Sequence, residues 1–170
     1  EARLAGQSLR GQKFTLTQFM DADLEECDFS GADLTQCNFK GANLRRARLE
    51  GATANNALFI EARLDDANLS RAKLYQSLFV DAHLANADFS GADMQQCILT
   101  GTNCQGARFR SANLTYADFS RSDLTRADLA GAKLFRANLH RIQDLDAKFT
   151  DRASALEEDP ALAEADNWKP

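Results

Sequence analysis

Histidine and cysteine, the side chains best suited to proton transfer, nucleophilic attack and metal binding, are few in this chain and far apart. The two histidines, His83 and His140, are widely separated in the sequence. No Ser/His/Asp or Cys/His arrangement that would predict nucleophilic catalysis can be assembled around either of them. The sequence therefore predicts that the chain is not an enzyme.

The four cysteines, Cys27, Cys37, Cys97 and Cys104, contain no C-x-x-C pair of the kind that holds zinc. Each stands at a position that is apolar or small elsewhere in the chain, and a buried free cysteine behaves as a small hydrophobic residue. We therefore expect reduced thiols in the core, no metal and no cofactor. Reduced thiols are typical of a cytoplasmic protein, which is the localisation we expect.

Three carboxylates, those of Asp21, Glu61 and Asp81, are spaced by multiples of twenty residues. A column of acidic side chains could bind a cation, but acidic residues on a solvated face have the same pattern. We favour the solvated face and predict no metal site here.

Composition sets broad limits on the fold and its partners. The chain has 170 residues, of which 44% are hydrophobic, and a formal net charge of −5. It could fold as one domain, and its mild acidity gives no reason to expect direct nucleic-acid binding. No apolar run is long enough to predict a membrane span, and the first ten residues lack the apolar segment of a signal peptide. The chain begins without methionine, so it could be a piece of a longer protein.

A five-residue repeat runs through most of the chain. Of the 28 positions counted by five from Leu4 to Leu139, only Ala54, Met94 and Cys104 are neither Leu nor Phe. The residue two positions before nearly every centre is small, as in ADLEE at 22–26 and ADFSG at 87–91. A period of five fits neither a helix nor a long strand, so each unit must turn a corner. The pattern predicts short strand segments wound into a tube that is filled by its own side chains.

This A-(D/N/R)-(L/F)-x-x pattern over residues 2–150 resembles the pentapeptide repeat protein family. The resemblance implies an all-β fold, a right-handed quadrilateral β-helix with four pentapeptides in each coil. We expect about seven coils over residues 1–150, and sorting the centres by twenty supports that coil length. One of the four resulting columns concentrates phenylalanine: Phe19, Phe39, Phe59, Phe79, Leu99, Phe119 and Leu139.

Outward residues can be sorted into the same columns. Charges of opposite sign alternate on the first two walls, as in Glu25, Arg45 and Asp65 or in Asp88, Arg108, Asp128 and Lys148. Opposite charges one rung apart attract by roughly a few tenths of a kcal/mol, whereas like charges repel. We interpret these columns as ladders that hold the register of the coils, and we favour this over a ligand site.

The corner between the third and fourth walls differs, because three successive coils carry no charge there. We call its outward residues the uncharged strip: Asn55, Asn56, Leu58, Ile60, Tyr75, Gln76, Leu78, Val80, Gln95, Gln96, Ile98 and Thr100. Exposed apolar patches of roughly several hundred Å² are typical of interaction sites. We predict a partner interface made by Asn55, Leu58, Ile60, Tyr75, Leu78, Val80, Gln95 and Ile98. In the alternative, the protein's own tail covers the strip.

The repeat ends after Phe149, and residues 151–170 read as an acidic helical tail or cap. Ser154 and Glu157 form a capping box, and Asp159 precedes Pro160, so two short helices are expected. The tail has a net charge of −4, whereas residues 101–150 have a net charge of +3. The tail could therefore lie back on the last coils, with Leu156, Leu162 and Trp168 as apolar contacts.

These features favour a non-enzymatic interaction scaffold whose partner is another protein or a second copy. We expect no small-molecule substrate, no direct nucleic-acid contact and no membrane contact. The family resemblance implies two alternatives. One is a DNA-mimic modulator of DNA gyrase, although arginines interrupt most acidic columns here. The other is a C-terminal module of a bacterial secretion-system accessory protein.

Overall fold

The computed structural model describes residues 3–156, which wind into a coil that returns to the same wall after twenty residues. Parallel β-bridges join the residue before each repeat centre to the residue twenty positions later, from Arg3 and Asp23 through Asp123 and Gln143. These bridges form four columns, one for each pentapeptide of a coil. The fold is therefore a four-sided β-helix, and the prediction of an all-β solenoid is confirmed.

Backbone hydrogen bonds between coils follow one pattern, which the repeat centred on Phe59 illustrates. Phe59 N donates to the Leu78 carbonyl of the next coil at 2.7 Å, and Leu58 N donates to the Cys37 carbonyl of the preceding coil at 2.9 Å. Each unit is thus bonded to the coil above and to the coil below. Because only neighbouring coils touch, stability accumulates coil by coil along the rod.

Every fifth residue from Gly6 to Asp146 lies in the left-handed region, with φ between 53° and 71°. In the repeat of Phe59 this residue is Glu61, and Ala62 N closes the turn on the Phe59 carbonyl at 3.1 Å. A left-handed third residue with such a closing bond is the geometry of a type II turn. Glycine occupies nine of these positions and residues with side chains occupy the other twenty. The five-residue period is therefore the distance between successive corners.

Both inward positions predicted from the repeat are buried. All centres from Phe19 to Leu139, and all small sites from Ala22 to Ala137, are less than a tenth exposed. Phe39, Phe59 and Leu64, whose exposure would have contradicted the fold, are fully buried. The centres of the first coil, Leu4, Leu9 and Phe14, are half-buried, and so is Phe149 at the other end of the repeat.

The fourth wall holds a stack of phenylalanine rings inside the tube. The rings of Phe19, Phe39, Phe59 and Phe79 follow one another with centroid distances of 5.0, 4.9 and 4.8 Å and interplanar angles of 8° or less. These distances are close to the spacing of hydrogen-bonded strands, about 4.8 Å. The backbone ladder therefore sets the ring spacing, and each ring fills the space between the rings above and below it.

The regular winding ends near residue 150. A parallel strand pair, β1 (Asp128–Leu129) and β2 (Lys148–Phe149), is followed by a single 3-10 turn at Arg152–Ser154. Leu156 then bridges Asn138, at a spacing of eighteen residues instead of twenty. The shorter spacing arises because the tight turn replaces a full pentapeptide.

The capping box predicted at Ser154 is wrong, because a helix starting there would require Ala155 to be helical. Ala155 is extended, with φ −80° and ψ 162°, and its neighbour Leu156 takes part in the bridge. The rest of the predicted tail, including Asp159, Pro160, Leu162 and Trp168, lies outside the described residues. The boundary between the domains 1–150 and 151–170 remains a prediction.

Replacing Phe59 by Ala should lower the free energy of unfolding by about 3–5 kcal/mol, since it removes a fully buried ring from the middle of the stack. Phe135→Ala is the control. Because Phe135 is 56% exposed, its replacement should lower the free energy of unfolding by less than about 1 kcal/mol. Urea unfolding of both variants measures the difference. Equal losses would contradict the ring stack as a main source of stability.

Candidate interaction surface

Where Asp or Asn precedes a centre, its side chain commonly closes the following turn. Ser30 N donates to Asp28 Oδ1 at 3.0 Å, Lys40 N to Asn38 Oδ1 at 3.0 Å, and Ser120 N to Asp118 Oδ1 at 2.8 Å. The same contact recurs in most coils. Asp and Asn commonly stabilise turns in this way. Asp88 and Asp128, predicted only as members of a charge ladder, also close turns in this way. The preference for Asp and Asn at this position was a signal of the turn role.

Asp28 is the most strongly bound of these carboxylates. Its partial burial would raise its pKa, but hydrogen bonds from Ser30 Oγ and Ser30 N and the ion pair with Arg10 outweigh that effect and lower the pKa to about 2. Asp33, Asp88 and Asp123 have lowered pKa values as well, because hydrogen bonds to the carboxylate outweigh partial burial at each site. These residues are therefore ionised at neutral pH and have structural roles.

Some members of the charge ladders predicted on the first two walls form ion pairs between coils, whereas Asp65 has none within residues 3–156. On the first wall, Arg45 contacts Glu25 at 2.8 Å and Arg46 pairs with Glu25 and, at 3.0 Å, with Glu26. On the second wall, Arg108 contacts Asp88 at 3.2 Å. Exposed pairs of this kind contribute about 0–1 kcal/mol each. Their acidic members are neutralised by neighbours, so these walls do not present a continuous row of negative charge.

The uncharged strip is built on one column of the fourth wall. Parallel bridges join Asn38 to Leu58, Leu58 to Leu78, Leu78 to Ile98, and Ile98 to Asp118. The structure thus brings together the three apolar residues predicted as the centre of the interface. A polar residue stands one rung beyond them at each end, so the apolar ladder has a defined length.

The side chains of the strip point outward, but most of them are partly buried. Tyr75 and Ile98 are 37% and 39% exposed, whereas Leu58, Ile60, Leu78 and Val80 are half-buried. Neighbouring rungs cover part of each side chain because they lie only one strand spacing away. The apolar residues predicted to be exposed at the centre of the strip do point outward, but most of them are half-buried against neighbouring rungs.

Amide side chains border the apolar column and bond to one another. Asn55 Oδ1 accepts a hydrogen bond from Tyr75 N at 3.1 Å, and Gln76 Nε2 donates to Gln96 Oε1 at 2.8 Å. Gln95 and Asn55 are half-buried, and Gln95 Nε2 donates to Asp93 Oδ1 at 3.0 Å. These bonds hold several of the polar residues in fixed positions beside the apolar ladder.

The uncharged corner is longer than the sequence analysis recognised. Its two columns carry no charged residue over six successive coils, and Phe135 extends the first of them before Arg136 ends the second: Thr15, Leu16, Thr35, Gln36, Asn55, Asn56, Tyr75, Gln76, Gln95, Gln96, Thr115, Tyr116 and Phe135. Tyr116 and Phe135 make an edge-to-face contact at 5.8 Å. This extension is visible in the sequence when residues twenty positions apart are compared in every coil and not in the central three coils alone.

The residues considered for chemistry are dispersed. His83 is exposed and His140 is buried, on different walls. Asp21 and Glu61 lie two coils apart, and Glu61 pairs with Lys40 at 3.5 Å. Among residues 3–156 no group of His, Cys, Asp and Glu could hold a metal ion.

A shallow groove on another corner has a volume of about 190 Å³ and is lined by Ala85, Asn86, Gln105, Gly106, Thr125 and Arg126. Small-molecule sites are commonly about 300–1,000 Å³. The groove is therefore a weak candidate for a ligand site.

All four cysteines are free and buried, as the repeat predicted. Cys37 Sγ donates to the Phe14 carbonyl and Cys97 Sγ to the Leu74 carbonyl of the preceding coil, both at 2.9 Å. Burial raises the pKa of Cys37 to about 11 and that of Cys104 to about 12, and it raises the pKa of Cys97 still further. All four cysteines are core residues, and the thiols of Cys37 and Cys97 also donate hydrogen bonds between coils.

A family described as pentapeptide repeats, in eight copies, matches residues 1–41, 42–79, 62–101, 77–115 and 102–141. The chain belongs to the pentapeptide repeat family. Pentapeptide repeat proteins form right-handed quadrilateral β-helices, in agreement with the four columns of bridges. The described residues contain no helix with the length and hydropathy of a membrane span.

Several solved structures of pentapeptide repeat proteins resemble this one. Full-length QnrB1, a plasmid-mediated fluoroquinolone resistance protein, is 19% identical over 96% of this chain and 94% of its own, with a TM-score of 0.55. HetL, involved in heterocyst differentiation regulation in the cyanobacterium Nostoc, is 26% identical over 93% of this chain and 84% of its own, with a TM-score of 0.38. At 19% identity, the likeness to QnrB1 indicates a shared fold only. No curated protein matches the chain.

Cys37, Cys97 and Cys104 should each react at least about 100-fold more slowly in the folded protein than in the unfolded chain, because raising the pKa of Cys37 from 9.0 to about 11 lowers its thiolate fraction by that factor and the other two pKa values are raised further. Labelling with a chromogenic disulfide at pH 8, with and without denaturant, measures the ratio. Rapid labelling of the folded protein would show that the thiols are accessible.

Asp28→Ala should lower the free energy of unfolding at pH 7 by about 1 kcal/mol, because the turn loses its carboxylate acceptor. The folded pKa lies below the ordinary value, so this stabilisation is present above about pH 4 and is lost as the pH falls toward 2. The difference between wild type and variant should therefore shrink on acidification. Asp65→Ala is the control, since its side chain has no hydrogen bond within residues 3–156 and should show little effect.

Proposed function

We propose that this pentapeptide repeat protein is a non-enzymatic interaction module that binds a protein partner through the uncharged strip. One observation carries the proposal: Leu58, Leu78 and Ile98 form consecutive rungs of an apolar ladder in a surface without charge. Isolated apolar residues on a surface are common, but a contiguous ladder of them is typical of an interaction site.

The contrast between walls supports this choice of surface. Several charged side chains on the first and second walls already have partners within the rod, such as Arg45 with Glu25 and Arg108 with Asp88. A partner that bound there would have to compete with those pairs. The strip offers apolar and amide groups, whose desolvation costs less than that of charges.

Interface energy commonly concentrates in a few central apolar and aromatic residues, each contributing about 1–2 kcal/mol or more. Leu78 and Tyr75 lie at the middle of the strip and are the expected centre of such a site. The rigid rod loses little conformational entropy on binding, because its backbone is bonded to neighbouring coils along each wall.

The alternative of a DNA-mimic modulator of gyrase has less support. A surface that replaces DNA needs sustained negative charge at phosphate-like spacing. Here Arg45, Arg46, Arg48 and Arg108 interrupt the acidic columns. The further alternative, a module of a bacterial secretion-system accessory protein, has no specific observation in its favour.

The remaining features of the proposal follow from the repeat. We propose about seven coils, a short acidic helical tail and a cytoplasmic location, the last because the buried thiols are free. Pentapeptide repeat folds are generally structural or interaction proteins, which is consistent with a role without catalysis.

The triple variant Leu58→Ser, Leu78→Ser, Ile98→Ser tests the strip. We expect partner binding to fall at least about tenfold, while the melting temperature falls by only a few degrees because Ile98 is exposed and Leu58 and Leu78 lie outside the core. The matched control is Arg63→Ser, His83→Ser, Asn103→Ser, which occupies consecutive rungs of a neighbouring wall. Affinity capture from the source cells, followed by binding measurements with each captured protein, compares the three forms. Equal binding by all of them would refute the proposal.

A further inference from the structure

Exposed apolar residues are concentrated on one side of the rod. Of the eight large apolar side chains that are most exposed in residues 3–156, only Leu145 lies elsewhere; the others stand on the fourth wall or its two corners: Leu16, Met20, Tyr75, Ile98, Tyr116, Phe135 and Leu156. This face includes the uncharged strip and extends beyond it toward both ends. Its occupant should therefore run along the rod instead of crossing it.

The face has an approximate mirror order about Leu78. Apolar Leu58 and Ile98 stand one rung to either side, and polar Asn38 and Asp118 stand two rungs to either side. At greater distances on the adjoining corner, exposed Leu16 lies toward one end and exposed Phe135 toward the other. An apolar centre with a polar border at equal distances is the pattern that a twofold interface requires.

We propose that the occupant of this face is a second copy of the same chain, packed antiparallel about a twofold axis at the level of Leu78. The inference rests on the proposed function, since it names the partner of the uncharged strip. In this arrangement Leu78 meets the partner's Leu78, and Leu58 meets the partner's Ile98. Leu16 reaches the end of the rod where the partner's Phe135 and Tyr116 form their aromatic pair.

Charge decides between antiparallel and parallel packing. In a parallel pair Asp118 would face the partner's Asp118, and two carboxylates in a desolvated interface repel each other. In the antiparallel pair Asp118 faces the partner's Asn38, whose amide can donate a hydrogen bond to a carboxylate. Over the central three coils the column of Leu78 and the corner of Tyr75 carry no charge, so no other repulsion arises there. Glu61 and Asp81 stand on the opposite corner, at the edge of the proposed contact.

The size of the face indicates a weak dimer. From the coil of Leu16 to that of Phe135 the face spans six rung spacings of about 4.8 Å, or about 29 Å. Because the face is only one wall wide, the area buried in the contact would be at the small end of the range for specific interfaces. We therefore expect the dimer to form at protein concentrations of about 100 µM and to dissociate on dilution.

The exchange of Asn38 and Asp118 tests the proposed register. Asn38→Asp should weaken dimerisation at least about tenfold, because each dimer gains two carboxylate pairs. The double variant Asn38→Asp, Asp118→Asn should restore it, since it rebuilds the facing pair in reverse. Both residues close turns through Oδ1, which Asp and Asn share, so the fold should tolerate the exchange. Asn68→Asp, the same substitution on the second wall, is the control and should leave association unchanged.

Sedimentation equilibrium from about 10 to 500 µM, a range that brackets the expected dissociation, measures all four proteins. A wild-type dimer, weakened by Asn38→Asp and restored by the double variant, is the expected result. A wild-type protein that stays monomeric throughout, an Asn38→Asp variant that dimerises normally, or a double variant without rescue would each overturn the inference.

The proposed function fails by a different result. If the strip triple variant still bound its partner as well as wild type, the strip itself would be wrong. If the wild type were monomeric while a captured partner required the strip, only the second-copy inference would fail.

Discussion

The corner repeated every five residues is the constraint on which the rest of the structure depends. At each corner one residue adopts positive φ, and most of these residues are not glycine. A left-handed conformation costs an L-residue about 1–2 kcal/mol. The fold accepts this cost at successive corners because each turn has a closing backbone hydrogen bond and backbone bonds to the adjacent coils. At many corners an Asp or Asn side chain accepts a further hydrogen bond. A chain without those compensations would not hold such tight winding.

The winding also determines what the core and the surface can be. Two of every five residues point inward, so the tube has room for one large and one small side chain per wall. Identical positions in successive coils lie one strand spacing apart, which brings phenylalanine rings into a stack on the inside. The same spacing brings outward residues into ladders of charge on some walls and into the uncharged strip on another. Interior stack and exterior strip are thus the two faces of the fourth wall.

Much of this arrangement could be predicted from the sequence because the period is strict. The burial of Phe59 and Leu64, the column of Leu58, Leu78 and Ile98, and the core position of the cysteines all follow from counting by five and by twenty. The extent to which neighbours cover Leu58 could not be predicted, because it depends on side-chain packing between rungs. The end of the repeat was misjudged for a similar reason: the local signal for a helix after Ser154 was overridden by pairing of Leu156 with Asn138.

The bridge between Asn138 and Leu156 spans eighteen residues, whereas the other bridges span twenty. This difference shows how such a rod would respond to insertions and deletions in evolution. Removing twenty residues would shorten the rod by one coil and leave every wall in place, because the bridges repeat at that interval. Removing five would rotate everything downstream by one wall, so that a binding face would be broken into two segments pointing in different directions. Loss of a single residue would turn inward positions outward. A binding face therefore stays continuous only when residues are gained or lost in whole coils of twenty. The exception is the end near Leu156, where the bridge to Asn138 already spans eighteen residues instead of twenty.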